Sequence, residues 1–97
     1  MKGKLINGDC RNVLNRLIDD GVSADLVVTS PPYDNLRKYD DFEWDFEIFT
    51  DIAHKLYDIL CDGGVCVWIV GDATFNGTET GTSFKQALWA MECGFKL

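Results

Sequence analysis

The chain has 97 residues, a formal net charge of −7 and 46% apolar residues, so it forms one domain at most, with a core rather than a disordered acidic tail. Its longest apolar run, residues 65–70, is too short to cross a bilayer, and its first residues lack the basic-then-apolar pattern of a secretory signal; the chain reads as cytoplasmic. Four cysteines, Cys10, Cys61, Cys66 and Cys93, form no C-x-x-C pair and share the chain with one histidine, so no metal site is expected and the thiols read as reduced and buried.

The first element is a short apolar stretch, residues 4–7, ended by Gly8 and Asp9, which predicts a strand. Val13, Leu14, Leu17 and Ile18 then recur at helical spacing, with Asp9 placed to cap the helix and Gly21 to stop it. Residues 25–29 have an apolar centre, Leu26-Val27-Val28, and are rich in β-branched side chains, the pattern of a strand buried on both faces of a parallel sheet. Pro31 and Pro32 end it, because proline has no N–H to give and restricts the residue before it. A polar, charged loop runs from Asp34 to about Trp44. Phe49, Ile52, Ala53, Leu56, Tyr57 and Leu60 then mark one face of a long helix, with Gly63-Gly64 as its left-handed stop and His54 off the stripe, on the solvated side. Residues 64–70 predict a second doubly buried strand, ended by Gly71-Asp72. Residues 73–81 read as a small polar loop. Phe84, Ala87, Leu88 and Met91 give a last helical stripe closed by Gly94, and residues 95–97 begin a strand in which the chain stops.

The order β-α-β-loop-α-β-α-β predicts an α/β fold with a mostly parallel sheet flanked by helices. Such sheets bind ligands outside the carboxyl ends of their strands. Three polar sets fall there: Gly8-Asp9, Ser30-Pro31-Pro32-Tyr33 and Gly71-Asp72. Ser30 offers a hydroxyl acceptor, the Pro31 carbonyl is fixed in direction by Pro32, and Tyr33 adds a flat aromatic face. Two acceptors and a stacking platform suit a planar ring with an exocyclic amino group, whose nitrogen lone pair they can aim at an electrophile. Simpler readings stand beside this one. Pro-Pro-Tyr can be a turn or a polyproline ligand, Gly8-Asp9 can be a helix cap alone, and Asp72 can belong to a surface turn.

Thr29-Ser30-Pro31-Pro32-Tyr33, after the strand Asp25-Leu26-Val27-Val28, resembles the catalytic motif of the DNA amino-methyltransferases, the N4-cytosine and N6-adenine enzymes that use S-adenosylmethionine. Ile6-Asn7-Gly8-Asp9-Cys10 before it and Asp62-Gly63-Gly64 after it match the permuted branch of that family, so the resemblance covers nearly the whole chain. It implies a partial Rossmann-like, S-adenosylmethionine-dependent methyltransferase fold. Ser30 and Pro31 would bind the target amino group, Pro32 would hold the Pro31 carbonyl, and Tyr33 would stack on a flipped base. Gly8, Asp9 and Ser30 would lie along the cofactor, Asp9 at its adenine end. Methyl transfer would be a direct displacement from the sulfonium. A cytosine-C5 enzyme would need a nucleophilic cysteine after a proline, and none of the four follows one.

The family's Gly-rich F-x-G-x-G segment is missing, and in the permuted branch it follows a target-recognition region far downstream. Residues 1–97 therefore read as one partial catalytic domain, truncated in a strand and lacking the family's first two strands. Such a fragment is expected to be inactive by itself, to bind the cofactor weakly, and to self-associate through its open sheet edges. Asp40, Asp41, Glu43, Asp45, Glu47 and Asp51 form an acidic run opposed near the motif by Arg37 and Lys38. The resemblance assigns the basic DNA-binding surface to the recognition region, so this chain alone should bind DNA weakly. S-P-P-Y leans toward cytosine N4 over adenine N6. An RNA or protein amino or amide methyltransferase and a non-catalytic interaction module on the same fold are the alternatives.

Overall fold

The computed structural model describes residues 2–32 and 44–97. Helix α1 (Cys10–Asp19) leads to strand β1 (Ala24–Thr29). Helix α2 (Phe46–Ile59) leads to β2 (Leu60–Trp68), and a two-stranded hairpin, β3 (Thr74–Phe75) and β4 (Thr78–Glu79), precedes α3 (Thr82–Cys93). β1 and β2 pair in parallel, Leu26 beside Val65, Val27 beside Cys66, Val28 beside Val67 and Thr29 beside Trp68. The Ile69 N–H continues the ladder to the Thr29 carbonyl at 3.0 Å. This is a small α/β arrangement, and of the larger parallel sheet expected from the element order it holds, among the described residues, one parallel pair with α2 as the crossover.

α2 forms where it does because Asp45 accepts the Ile48 N–H at 2.8 Å and Glu47 places a negative charge in the first turn. Its apolar stripe is the centre of the core. Trp44, Phe49, Ile52, Ala53 and Leu56 form the buried cluster, and Val27, Cys66 and Trp68 from the sheet, Leu14 from α1 and Trp89 from α3 pack against it. Phe49 meets three rings: Phe46 at 5.4 Å, Trp68 at 5.5 Å and Trp89 at 5.7 Å between centroids.

The helix stops earlier than its glycines predict. Leu60 already has an extended ψ of 135° and pairs with Ala24, so it leaves the helical stripe, and Ile59 is buried in place of the half-exposed Tyr57. Gly63, with φ +80°, and Gly64 serve the strand instead. They lie in the register shift between the Ala24–Leu60 and Leu26–Val65 pairs. A Cβ on Gly64 would stand 2.9 Å from the Cys61 carbonyl oxygen.

Both parallel strands are covered on one face, not two. Val27, Cys66 and Trp68 face the core, while Leu26, Val28, Val65, Val67 and Ile69 point away and are 40–60% exposed. Described residues place no helix over that face. Residues 4–7 form no strand; Leu5 is 99% exposed, because no described strand edge lies beside it to satisfy its backbone. Residues 95–97 form none either, and Phe95 turns edge-on to Tyr57 at 5.2 Å.

α3 also departs from its expected stripe. Phe84, Leu88 and Met91 are exposed, whereas Gln86 is buried and Trp89 faces the core. The indole decides the rotation, since it packs edge-on between Phe49 and His54 and offers more apolar area than Leu or Met. Gln86 then accepts the Trp68 indole N–H at 3.0 Å, and among the described residues no buried side-chain polar atom is left without a partner. All four cysteines are free, but only Cys66, half-buried, packs against the core; Cys61 and Cys93 are half-buried and Cys10 is exposed, where buried thiols were expected. Among the described residues no helix is long and apolar enough to cross a membrane.

Gly94 closes α3 with φ +129°, and a Cβ there would lie 2.7–2.9 Å from the Tyr57 ring. Gly94→Ala is expected to cost about 1–3 kcal/mol from backbone strain and displacement of Tyr57, read as a lower urea midpoint with an unchanged slope.

Candidate functional site at the carboxyl edge of the sheet

α2 carries the chain from the carboxyl end of β1 to the amino end of β2, so the start of α2 stands on the same edge as Ser30. The segment after β2 and the start of α3 stand there too. Ser30 continues the strand's alternation: Thr29 is half-buried, Ser30 exposed, Pro31 buried and Pro32 half-buried. The ring of Pro31 is thus anchored in the protein while Ser30 is presented at the edge. Proline's fixed φ and the restriction that Pro32 imposes on Pro31 hold this step stiffly. Tyr33 lies outside the described residues, as do Arg37, Lys38, Asp40, Asp41 and Glu43.

Asp9 is committed to its own helix. It accepts the Arg11 N–H at 2.9 Å and binds the guanidinium through both carboxylate oxygens, at 3.2 and 2.8 Å. Gly8 stands close to the same turn, where a Cβ would meet the Val13 Cγ2 at 3.1 Å. Asp9 bonds to Arg11 and to the first turn of α1. The Arg11 side-chain and backbone hydrogen bonds hold the Asp9 carboxyl below its ordinary value. A lowered folded pKa means stability that is present above the unfolded value and lost as pH falls through the folded one. Asp9→Ala is expected to cost about 1 kcal/mol through the lost cap. Against wild type, that gap should stay level above about pH 5 and narrow below about pH 4 in thermal melts.

Asp72 ties the end of β2 to α3. Its two carboxylate oxygens accept the Ser83 N–H and Ser83 hydroxyl, each at 2.7 Å, which supplies the cap that Gly81 lacks. Its role is therefore structural and specific, not that of a residue in a loose turn.

Burial pushes the thiols of Cys10, Cys66 and Cys93 up, and the hydrogen bond to Asp25 does the same for Cys61. All four stay protonated near neutrality, so no described cysteine is poised as a nucleophile. His54 is exposed, lies edge-on to Trp89 and stands 3.6 Å from the Cys93 sulfur.

A groove of about 560 Å³ opens at the same edge between Trp44 and Phe46 at the start of α2, Phe75 on the hairpin, and Thr82 and Lys85 on α3. Sequence reasoning missed it, having read residues 73–81 as loop. The signal was Asn76-Gly77, a hairpin dipeptide. Asn76 at φ 52° and Gly77 at φ 78° supply the two positive angles that a type I′ turn needs.

This chain resembles part of two bacterial methyltransferases. It is 53% identical over 75 residues, 77% of this chain and 27% of the relative, to the orphan methyltransferase M.BamHII of Bacillus amyloliquefaciens. It is 38% identical over 72 residues, 70% of this chain and 19% of the relative, to the type II methyltransferase M.BglII of Bacillus subtilis. The chain thus spans about a quarter and a fifth of the lengths of these methyltransferases. No protein-family model matches the chain, and no solved structure matches it.

Proposed function

We propose that this chain is the acceptor-binding part of a DNA amino-methyltransferase that uses S-adenosylmethionine, acting on cytosine N4 ahead of adenine N6. The observation that carries the reading is Ser30-Pro31-Pro32 leaving the carboxyl end of a parallel strand, in a chain 53% identical over 75 residues to part of a methyltransferase. In this reading Ser30 and the Pro31 carbonyl accept the two hydrogens of an exocyclic amino group, and Tyr33 stacks on the flipped base. Pro31 is buried, so its carbonyl keeps its aim without reorganising during the reaction.

S-adenosylmethionine, when bound, supplies an electrophilic methyl group on a sulfonium. The described residues fit the acceptor side of that reaction better than the donor side. Asp9, the carboxylate assigned to the cofactor, already accepts three hydrogen bonds from Arg11. The chain's own contribution is therefore to extract, orient and hold the amino group. The high-pKa thiols agree with a reaction that forms no covalent enzyme intermediate.

Transfer of labelled methyl from S-adenosylmethionine, catalysed by the full-length protein, tests the substrate class. Label in duplex DNA, absent from RNA and from protein amides, supports the reading. Label in RNA or protein alone overturns it.

A further inference from the structure

Asn-Gly occurs twice among the described residues, at Asn7-Gly8 and at Asn76-Gly77, and the reaction proposed above uses neither asparagine. All four residues are exposed. By sequence the two pairs are alike: the backbone nitrogen of each glycine can attack the side-chain amide before it, with no Cβ in the way. The backbone separates them.

Attack closes a five-membered ring, and so small a ring needs the asparagine Cβ and the next nitrogen on the same side of the Cα–C bond. Asn76 is held the other way. It takes the first central position of the type I′ turn, with φ 52°, where ψ is about +30° and Cβ stands nearly opposite the Gly77 nitrogen. Leaving that angle breaks the turn, and the turn is tied in. Phe75 pairs with Thr78 and Thr74 with Glu79, and the Thr80 N–H bonds to the Ala73 carbonyl at 2.9 Å. Asn7 has no such hold. Residues 2–9 lie outside every helix and strand, and among the described residues no backbone hydrogen bond engages Asn7 or Gly8. Order begins at Asp9, whose side chain and carbonyl start α1. Gly8 is placed against that turn, since a Cβ there would meet the Val13 Cγ2 at 3.1 Å. Rotation about the Asn7 Cα–C bond therefore swings only the exposed residues before it and breaks no hydrogen bond.

We propose that Asn7 is a site of spontaneous deamidation in the folded chain, and that the hairpin protects Asn76 from the same reaction. The Gly8 nitrogen loses its proton and forms a bond to the Asn7 Cγ. The bond from Cγ to the side-chain nitrogen breaks, and that nitrogen leaves as ammonia, taking up a proton. Water then opens the cyclic imide at one of its two carbonyls. Opening at the side-chain carbonyl leaves an aspartate; opening at the backbone carbonyl leaves an isoaspartate, whose main chain runs through Cγ and is one methylene longer. An amide and water thus become a carboxylate and ammonia, with no oxidant or cofactor. Either product sets a new negative charge two residues before Asp9, whose own carboxylate caps α1 and binds Arg11. An effect on the cofactor, along which the resemblance places Gly8 and Asp9, rests on the function proposed above; the deamidation does not.

The test incubates the 97-residue chain at mildly alkaline pH and follows each dipeptide by peptide mapping and mass spectrometry, with isoaspartate told from aspartate by electron-transfer fragmentation. In the native chain the Asn7 amide should be lost at least about tenfold faster than the Asn76 amide, the factor that an opening free energy of ~1.4 kcal/mol imposes on the hairpin. The Asn7 rate should rise in proportion to hydroxide, as attack by a deprotonated nitrogen requires. In denaturing urea the hairpin is gone, so the Asn76 rate should climb to that of Asn7, while Asn7 keeps nearly its native rate. Thr78→Pro, which takes a ladder N–H from the hairpin, should speed Asn76 and leave the helical circular dichroism unchanged. The readout is independent of methyl transfer, so either reading can fail while the other stands. Equal native rates, a faster Asn76, or an Asn76 rate indifferent to urea would overturn the proposal. An Asn7 amide lost only in urea would overturn it as well, because it would mean that residues 2–9 are held.

Discussion

Phe49→Ala is expected to remove about 3–5 kcal/mol of stability, the cost of truncating a buried aromatic and leaving its cavity. Phe49 is 2% exposed and is the ring on which α2, β2 and α3 converge, through Phe46, Trp68 and Trp89. A domain of this length is held by roughly 5–15 kcal/mol, so the loss is a large part of the whole. It should appear in urea denaturation as a midpoint collapsing toward zero denaturant. Phe49→Leu, which keeps much of the volume, should cost appreciably less. A wild-type midpoint for Phe49→Ala would mean that the aromatic cluster is not the centre of the fold.

The second large effect is on chemistry rather than stability. Ser30→Ala in the full-length protein is expected to lower the turnover rate by about 100- to 1000-fold, the scale of losing one preorganised hydrogen-bond group at a reacting centre. Ser30 is exposed at the strand end, so the same substitution should move stability by no more than the worth of an ordinary hydrogen bond, about 1 kcal/mol. The Michaelis constant for S-adenosylmethionine should stay near wild type if Ser30 acts on the amino group. Ser30→Thr, which keeps the hydroxyl, should recover part of the rate, as loss of packing alone would not predict.

How much of this could be read from sequence depended on whether one element decided the matter or its neighbours did. The helix centred on Phe49, Ile52, Ala53 and Leu56 was legible because its stripe is long and its cap, Asp45, lies where the pattern begins. The break at Pro31-Pro32 was legible because proline acts through its own backbone. The strand at residues 4–7 was not, since an apolar run becomes a strand only beside an edge that pairs with it. β1 and β2 read as doubly covered because continuous apolar runs do not say which face is covered here. Leu26, Val28, Val65, Val67 and Ile69 are as apolar as Val27 and Cys66 yet face outward. In α3 a single tryptophan outweighed a four-residue apolar stripe, which periodicity alone weights equally.

The candidate site divides in the same way. Ser30 and Pro31 stand at the carboxyl end of β1, and Tyr33 lies outside the described residues. Asp9 proved to be bound by its own helix, an engagement set by the neighbouring Arg11 rather than by any motif. Asp72 gained a defined partner in Ser83 that spacing did not announce. The groove at Phe75 and Lys85 needed the hairpin to be recognised before its residues could be seen together.

The most direct test of the account is mass analysis of nucleosides from duplex DNA incubated with S-adenosylmethionine and the full-length protein, beside its Ser30→Ala variant. The account predicts a methylated exocyclic amino group, N4-methyldeoxycytidine ahead of N6-methyldeoxyadenosine, with the product lost in the variant. Methylation at cytosine C5, or an amino-methylated product that persists in the variant, would contradict it.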